Sequence, residues 1–382
     1  QLIDYFSSNN WEVVDSITEA DLVLLHTCAF AERPEKESLK FLKLVQKKLN
    51  KNGQIIVFGC FPGVNKDLLK SHFNGTTLTS GNLDKLDTII NAKVPLKEIP
   101  DPHVIQEPIV QAKKVFSVAE RFQVHFNWGT SKDLVKRSLS YLGYIGKPLR
   151  DSYGDIYCLR IAKGCMNECS YCAIRLAIGP LKSKRIDEIL SEFRQGLDQG
   201  AKTFELLAGD VGAFGQDINT NIVELLKEIF AVKDDFKLLL SEFNPRWFVK
   251  YRDDLIKLFI TNRDRIGFIM LPMQSASDHI LESMKREHDS DSVLQAILKL
   301  KDEAPELKLS THVLVGFPGE SDNDFMDTLR FLESAGFDEV YLYPYSDRPN
   351  TKSIDLPNKI PQAIIDKRMN ILKKEFKSIA RV

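Results

Sequence analysis

"YCLRIAKGCMNECSYC", residues 157–172, runs from a short apolar stretch straight into three cysteines spaced C-x3-C-x2-C. The apolar part, "YCLRIA" (157–162), reads as a buried strand. It is the first of six such runs, followed by "TFELLA" (203–208), "KLLLSE" (237–242), "GFIMLP" (267–272), "LKLSTHVLVG" (307–316) and "EVYLYP" (339–344). Helical patterns lie between them, including residues 185–200, 222–232 and 324–336. This alternation predicts a parallel sheet curled into a partial (β/α)6 TIM-type barrel. Such folds carry their chemistry at the carboxyl ends of the strands. Cys165, Asp210, Glu242, Gln274, Gly316 and Ser346 all fall at or just past a predicted strand end, so one mouth is expected to collect them.

Upstream, "ADLVLLHTC" (20–28) and "QIIVFGC" (54–60) are apolar strands that each end in a cysteine. The helical pattern between them, with Gly53 as its expected C-cap, makes a βαβ unit and an open parallel, Rossmann-like sheet. Cys28 and Cys60 then stand at the carboxyl ends of neighbouring strands, where open α/β sheets bind ligands. The organisation expected is an N-terminal α/β domain over 1–100, a connector over 101–150 rich in Pro, Gly and Tyr, and the barrel over 151–382.

The 382 residues are 43% hydrophobic and 27% charged, enough for real cores, and the net charge of −1 advertises no polyanion partner. No run of about 18 apolar residues and no signal-peptide core occurs. A soluble cytoplasmic protein without a membrane partner is expected. Residue 1 is Gln inside a helical pattern, so the natural chain is expected to start further upstream. Six clustered cysteines in such a chain suggest metal or catalysis rather than a disulfide framework.

Cys165, Cys169 and Cys172 form an odd set for disulfides and fall one short of a closed zinc site. Thiolates also suit iron–sulfur clusters. A [4Fe–4S] cluster held by three of them leaves one iron for another ligand.

"CMNECSYC" resembles the signature of radical S-adenosylmethionine (SAM) enzymes. "LLAGDVGAFGQD", "LPMQSASDHILESMKREH", "VLVGFPGESDNDF" and "YSDRPNTKSIDLPNKI", with "EADLVLLHTCAFAERPEKES" and "VFGCFPG" upstream, resemble blocks of its methylthiotransferase branch along nearly the whole chain. The resemblance implies that SAM chelates the open iron, that reductive cleavage yields a 5′-deoxyadenosyl radical, and that this radical takes hydrogen from an unactivated C–H bond. It implies a flavodoxin- or ferredoxin-type one-electron reductant. It also implies an auxiliary [4Fe–4S] cluster that supplies sulfur, with Cys28 and Cys60 as two of its ligands, and a second SAM that supplies the methyl group. The third auxiliary ligand is either lost upstream, replaced by a group such as His26, or absent along with that cluster. Cys158, near the start of its strand, reads as a core thiol.

Tyr171 resembles the aromatic beside the SAM adenine. Gly316, with Gly319, would let backbone approach the adenosine. Asp210 and Glu242 are candidates for the SAM ammonium or ribose, Gln274 and Ser275 for polar contacts to SAM or substrate, and Arg246 and Lys184 for the SAM carboxylate. The chain departs from the family at Arg175, Ile178 and Gly209, where Pro, Arg and Gln are common. It also stops before the family's RNA-binding barrel. That, with the neutral charge, weakens tRNA as the substrate against a ribosomal protein or a small molecule or peptide. The alternatives are a two-site radical-SAM enzyme without sulfur insertion, and a non-catalytic iron–sulfur protein.

Overall fold

The computed structural model describes residues 1–99 and 149–381, together with the backbone of 105–106. The rest of the connector expected over 101–150 lies outside the described residues.

Three strands, β1 (Leu22–Thr27), β2 (Gln54–Gly59) and β3 (Thr76–Thr79), form a parallel sheet in the order β1-β2-β3. Helix Glu32–Lys48 crosses between β1 and β2. Its buried positions, Glu35, Ser38, Leu42 and Val45, recur every three to four residues and so share one face. Acidic residues in its first turn and Lys47 and Lys48 in its last complement the helix dipole. Leu42 and Val45 pack with Val23, Leu25, Phe61 and Leu69, each such side chain contributing about 2 kcal/mol by leaving water. Helix Leu2–Ser8 covers the other face through Tyr5, against Ile56, Leu78 and Leu86. Gly53 is not the cap of helix Glu32–Lys48: the helix stops at Leu49, which turns to φ −62° and ψ 143°. Asn50 reaches the Ala20 carbonyl instead, at 2.8 Å, and the turn feeds Gly53 into β2.

The remaining strands are β4 (Ile105–Gln106), β5 (Ile156–Arg160), β6 (Ala162–Lys163), β7 (Lys182–Ser183), β8 (Thr203–Leu207), β9 (Lys237–Leu240), β10 (Ile266–Met270), β11 (Lys308–Val315), β12 (Glu339–Pro344) and β13 (Ala380–Arg381). Eight of them form one sheet in the order β13-β12-β11-β10-β9-β8-β5-β4, and β6 pairs with β7 as a separate hairpin. The six runs read from the sequence are β5, β8, β9, β10, β11 and β12, paired parallel in chain order. Sequential parallel strands with helical crossovers give the partial barrel. Two very short strands extend it at the edges: β13 pairs parallel with β12, and β4 antiparallel with β5.

Alternate residues of each strand face the helices. On β12, Val340 and Leu342 join the core formed with Phe331, Ile365, Met369 and Leu372, so Glu339, Tyr341 and Tyr343 face the barrel interior. One end of that interior is plugged. Leu149 and Tyr153 pack with Ile156, Cys158, Leu239 and Phe268, and Arg150 binds the buried Glu205 at 2.7 Å. Cys158 is thus a buried interior thiol. The helix Asp322–Ala335 shows how local sequence sets an element. Ser321 and Asp324 form a reciprocal capping box, and Gly336 ends the helix at φ 61°. Among the described residues no helix is long and apolar enough to cross a membrane.

Candidate functional site

The loop after β5 carries Cys165, Cys169 and Cys172 at the carboxyl end of the barrel. Several bonds hold it. Cys165 N donates to Gly179 O at 3.1 Å, Ser170 N to Met284 O at 3.0 Å, and Cys172 N to Cys169 O at 3.1 Å. Asn167 Nδ2 donates to Asp210 Oδ2 at 2.6 Å and lies 3.5 Å from Cys165 Sγ.

The second cysteine pair faces this loop. Cys28 follows β1 and Cys60 follows β2, in parallel register Thr27↔Gly59. Cys60 N donates to Thr27 O at 3.0 Å, which sets the two thiols side by side. Their shared hydrogen bond lowers Cys28 to about 6 and pushes Cys60 upward, and Cys172 is near enough to raise Cys60 further. The short helices after Cys60 (Phe61–Val64) and after Cys172 (Arg175–Ile178) pack on each other. A Cβ on Gly63 would come within 2.8 Å of Ala177 Cα.

Two kinds of metal site could use these thiols. Cys165, Cys169 and Cys172 are one short of a closed four-ligand zinc site, whereas three thiolates suit a cluster whose fourth iron takes another ligand. Nearby backbone N–H groups favour the thiolates against burial, those of Asn167 for Cys165, Ile174 and Arg175 for Cys172, and Ala29 and Phe30 for Cys28. Such donors stabilise cluster thiolates and tune their potential. Burial pushes Cys165 up to about 11 and also raises Cys172, so these thiols call for a positive partner before they ionise. The donor set fits a cluster.

The profile described as "Radical SAM superfamily" matches residues 159–332, and one described as "Uncharacterized protein family UPF0004" matches residues 1–81. A probable threonylcarbamoyladenosine tRNA methylthiotransferase of Pyrococcus horikoshii is 29% identical over 361 residues, covering 94% of this chain and 76% of its own. The ribosomal protein uS12 methylthiotransferase RimO of Protochlamydia amoebophila is 28% identical over 376 residues, covering 97% and 71%. The chain resembles the radical-SAM methylthiotransferase family along nearly its whole length. Enzymes of this family use a [4Fe–4S] cluster and SAM, and its methylthiotransferases carry an auxiliary cluster. Among solved structures, the radical-SAM methyltransferase TsrM of Kitasatospora setae, with cobalamin and a [4Fe–4S] cluster bound, shares the fold. Its TM-score is 0.58 at 15% identity, over 92% of this chain and 65% of that one.

Within the family frame, the expected site residues divide into groups. Asp210, 2% exposed, is fully engaged: besides Asn167 it accepts from Trp247 Nε1 at 2.9 Å and Asn244 N at 3.2 Å. It anchors the cysteine loop. Ser275, 1% exposed, faces Thr328 rather than the mouth. Lys184 is paired with Glu192 at 2.7 Å, and Arg246 with Glu287 at 2.8 Å while stacked on Trp247. Gly316 N donates to Glu320 Oε2 at 2.9 Å, and a Cβ there would meet Ile365. Tyr171 packs on Met284, Phe317 and Tyr345, beside Cys169 and Arg286.

Glu242 and Gln274 remain at the mouth, and both hold left-handed backbone, at φ 51° and 69°. Such conformations are costly outside glycine and collect at functional sites. The surrounding protein lifts Glu242 to about 7 by desolvation, although its side chain is 49% exposed. Its Oε1 lies 3.8 Å from Nδ1 of His312, whose ring meets Tyr341 and Tyr343 edge-on.

Sequence reading missed Arg286, which is buried, lies 3.7 Å from Cys169 Sγ and donates to Pro272 O. Burial opposes its charge, but Tyr171, Cys169 and Asp210 outweigh this and hold it above its usual range. Asn167 and His312 were missed as well. Arg286 lies inside the quoted block "SMKREH", but nothing in that block marks it as the residue that reaches the cysteines.

Proposed function

We propose that Cys165, Cys169 and Cys172 hold the cluster that binds SAM, that Cys28 and Cys60 are two of the ligands of the auxiliary cluster, and that the enzyme installs a methylthio group on a tRNA nucleoside. The observation that carries this is the juxtaposition of the cysteine sets: the short helices that follow Cys60 and Cys172 pack on each other at Gly63 and Ala177. When bound, the clusters and SAM supply the electron, the hydrogen-abstracting radical and the sulfur.

The chain's own work is positioning and shielding. Arg286 offsets the negative charge of the thiolates beside Cys169. The Gly316–Gly319 turn brings backbone toward SAM, braced by Glu320, while Glu242 and Gln274 present polar groups at the strand ends. Tyr343, an aromatic at the end of β12 that is 37% exposed, is of the type that stacks unpaired bases, which favours a nucleoside. Relatives named for tRNA and for ribosomal protein uS12 both occur, so a ribosomal-protein segment is the second reading. A flavodoxin- or ferredoxin-type reductant in the cytoplasm completes the system.

The test is to reconstitute the protein anaerobically and count iron, 5′-deoxyadenosine and product mass. Wild type should hold about eight irons. Cys165→Ala should lose SAM cleavage, whereas Cys28→Ala/Cys60→Ala should keep it and lose sulfur insertion. SAM cleavage by Cys165→Ala, or methylthio product from the double variant, overturns the assignment. Product on a ribosomal protein but not on tRNA selects the second reading.

A further inference from the structure

The loop after β12, residues 346–353, touches both cysteine sets. On one side, Ser353 N donates to Ser170 O at 2.9 Å, inside the Cys165–Cys172 loop, and Lys352 pairs with Glu168 at 2.8 Å. On the other side, Arg348 Nη2 donates at 2.8 Å to the carbonyl of Ala29, next to Cys28, and pairs with Glu35. Asn65, in the turn after Cys60, donates to the same Glu35 oxygen at 2.9 Å. Asn350 reaches Val64 O at 3.4 Å. Arg348 and Glu35 are 5% and 9% exposed at their side chains, so the pair is buried between the N-terminal sheet unit and the barrel. A buried ion pair is a weak stabiliser, because desolvation cancels most of its attraction. Its directional bonds, however, fix geometry.

We propose that Arg348 is a positioning residue that sets the spacing of the Cys28/Cys60 pair against the Cys165/Cys169/Cys172 loop. Both bonds leave one nitrogen, Nη2, which the rigid guanidinium plane holds in place, whereas a lysine ammonium rides on a flexible stem. The inference rests on the reading that both cysteine sets hold clusters, because only then does their spacing govern transfer between them.

The experiment compares wild type, Arg348→Ala, Arg348→Lys and Glu35→Gln as reconstituted full chains. Iron content, the magnetic interaction between the reduced clusters by EPR, hydrogen exchange over residues 28–35, and 5′-deoxyadenosine formed per methylthio product are read together. Arg348→Ala should keep about eight irons and near-normal SAM cleavage. Its deoxyadenosine-to-product ratio should rise about 100-fold, the scale of a 1 Å misplacement, with a changed EPR interaction and faster exchange. Arg348→Lys and Glu35→Gln should fall between. If Arg348→Ala loses its clusters, Glu35→Gln and Arg348→Lys decide the matter, and their ratio and EPR interaction must then shift. Cluster-loaded variants with wild-type ratio and EPR interaction overturn the inference alone. Wild type with about four irons overturns the two-cluster reading instead.

Discussion

Asn167 ties the cysteine loop to the end of the second barrel strand: its Nδ2 donates to Asp210 Oδ2 at 2.6 Å while lying 3.5 Å from Cys165 Sγ. Asp210 also accepts from Trp247 and Asn244, so Asp210→Ala strands two buried donors and the half-buried Asn167 amide. Each unsatisfied donor costs about 1–3 kcal/mol, less whatever water recovers. A net loss of about 3 kcal/mol is expected. Asp210→Asn keeps an acceptor and should cost less. Thermal unfolding and the rate of iron loss to a chelator check this. An Asp210→Ala protein with wild-type melting and iron retention sinks the anchoring role.

Gly164 makes the approach of that loop possible. It sits at φ +73°, and a Cβ would lie 1.9 Å from Pro180 O, a backbone atom that cannot swing away. Gly164→Ala should therefore displace Cys165 and leave a folded protein with about four irons instead of eight. Gly200, at φ +85° with nothing within 4 Å, is the control. Gly200→Ala should cost only the left-handed penalty of about 1 kcal/mol and keep its iron. Equal iron content in the two variants contradicts this account.

What was legible in the sequence was local or periodic. The six barrel strands carry continuous apolar runs, and Cys28 and Cys60 follow apolar strands that a single helix separates, so their pairing followed from topology. Asp210 was legible as a strand-end carboxylate, but its partners Asn167 and Trp247 are 43 and 37 positions away. Arg348 and Glu35 are 313 residues apart, and neither has a neighbour in sequence that betrays the other. Lys184 and Arg246 were chosen for charge alone. Nothing in the sequence marks Glu192, on the helix Ile186–Asp198, or Glu287, in the loop after the helix Asp278–Ser283, as the acids that engage them.

Glu242 provides a pH signature. Burial raises its carboxyl to about 7; Arg286 opposes the shift, while Asp210 and Glu205 add to it. His312, held by burial at about 4, stays neutral over the same range and adds no titration. If Glu242 receives a cationic part of SAM, only its ionised form helps. Affinity should then rise roughly tenfold between pH 6 and 8 through this group. The SAM amine titrates nearby, so the measured quantity is the difference between wild type and Glu242→Gln by equilibrium binding to cluster-loaded protein. Parallel pH profiles in the two proteins remove Glu242 from the SAM site.

The Glu320–Arg368 pair braces the turn that carries Gly316. Arg368 Nη1 lies 2.6 Å from Glu320 Oε2, which in turn accepts from Gly316 N at 2.9 Å, and both side chains are nearly inaccessible. Burial raises Glu320 to about 7 even with Arg368 beside it. Removing the arginine leaves a buried carboxylate with little compensation, a change that costs about 3–5 kcal/mol. The sign of its pH dependence follows from the direction of the shift. A carboxyl whose folded pKa lies above its unfolded value loses stability as pH rises through the folded pKa. In Arg368→Ala that pKa rises further, so Glu320 takes up a proton as pH falls and part of the penalty is relieved. The destabilisation relative to wild type should thus be larger at pH 8 than at pH 6, and Glu320→Gln/Arg368→Ala should recover part of it at pH 8. Urea unfolding at the two pH values measures both effects. SAM affinity of Arg368→Ala should also fall as the Gly316 turn loosens. A pH-independent loss of stability, with no recovery in the double variant, would show that Arg368 acts through its packing on Phe325 rather than through Glu320.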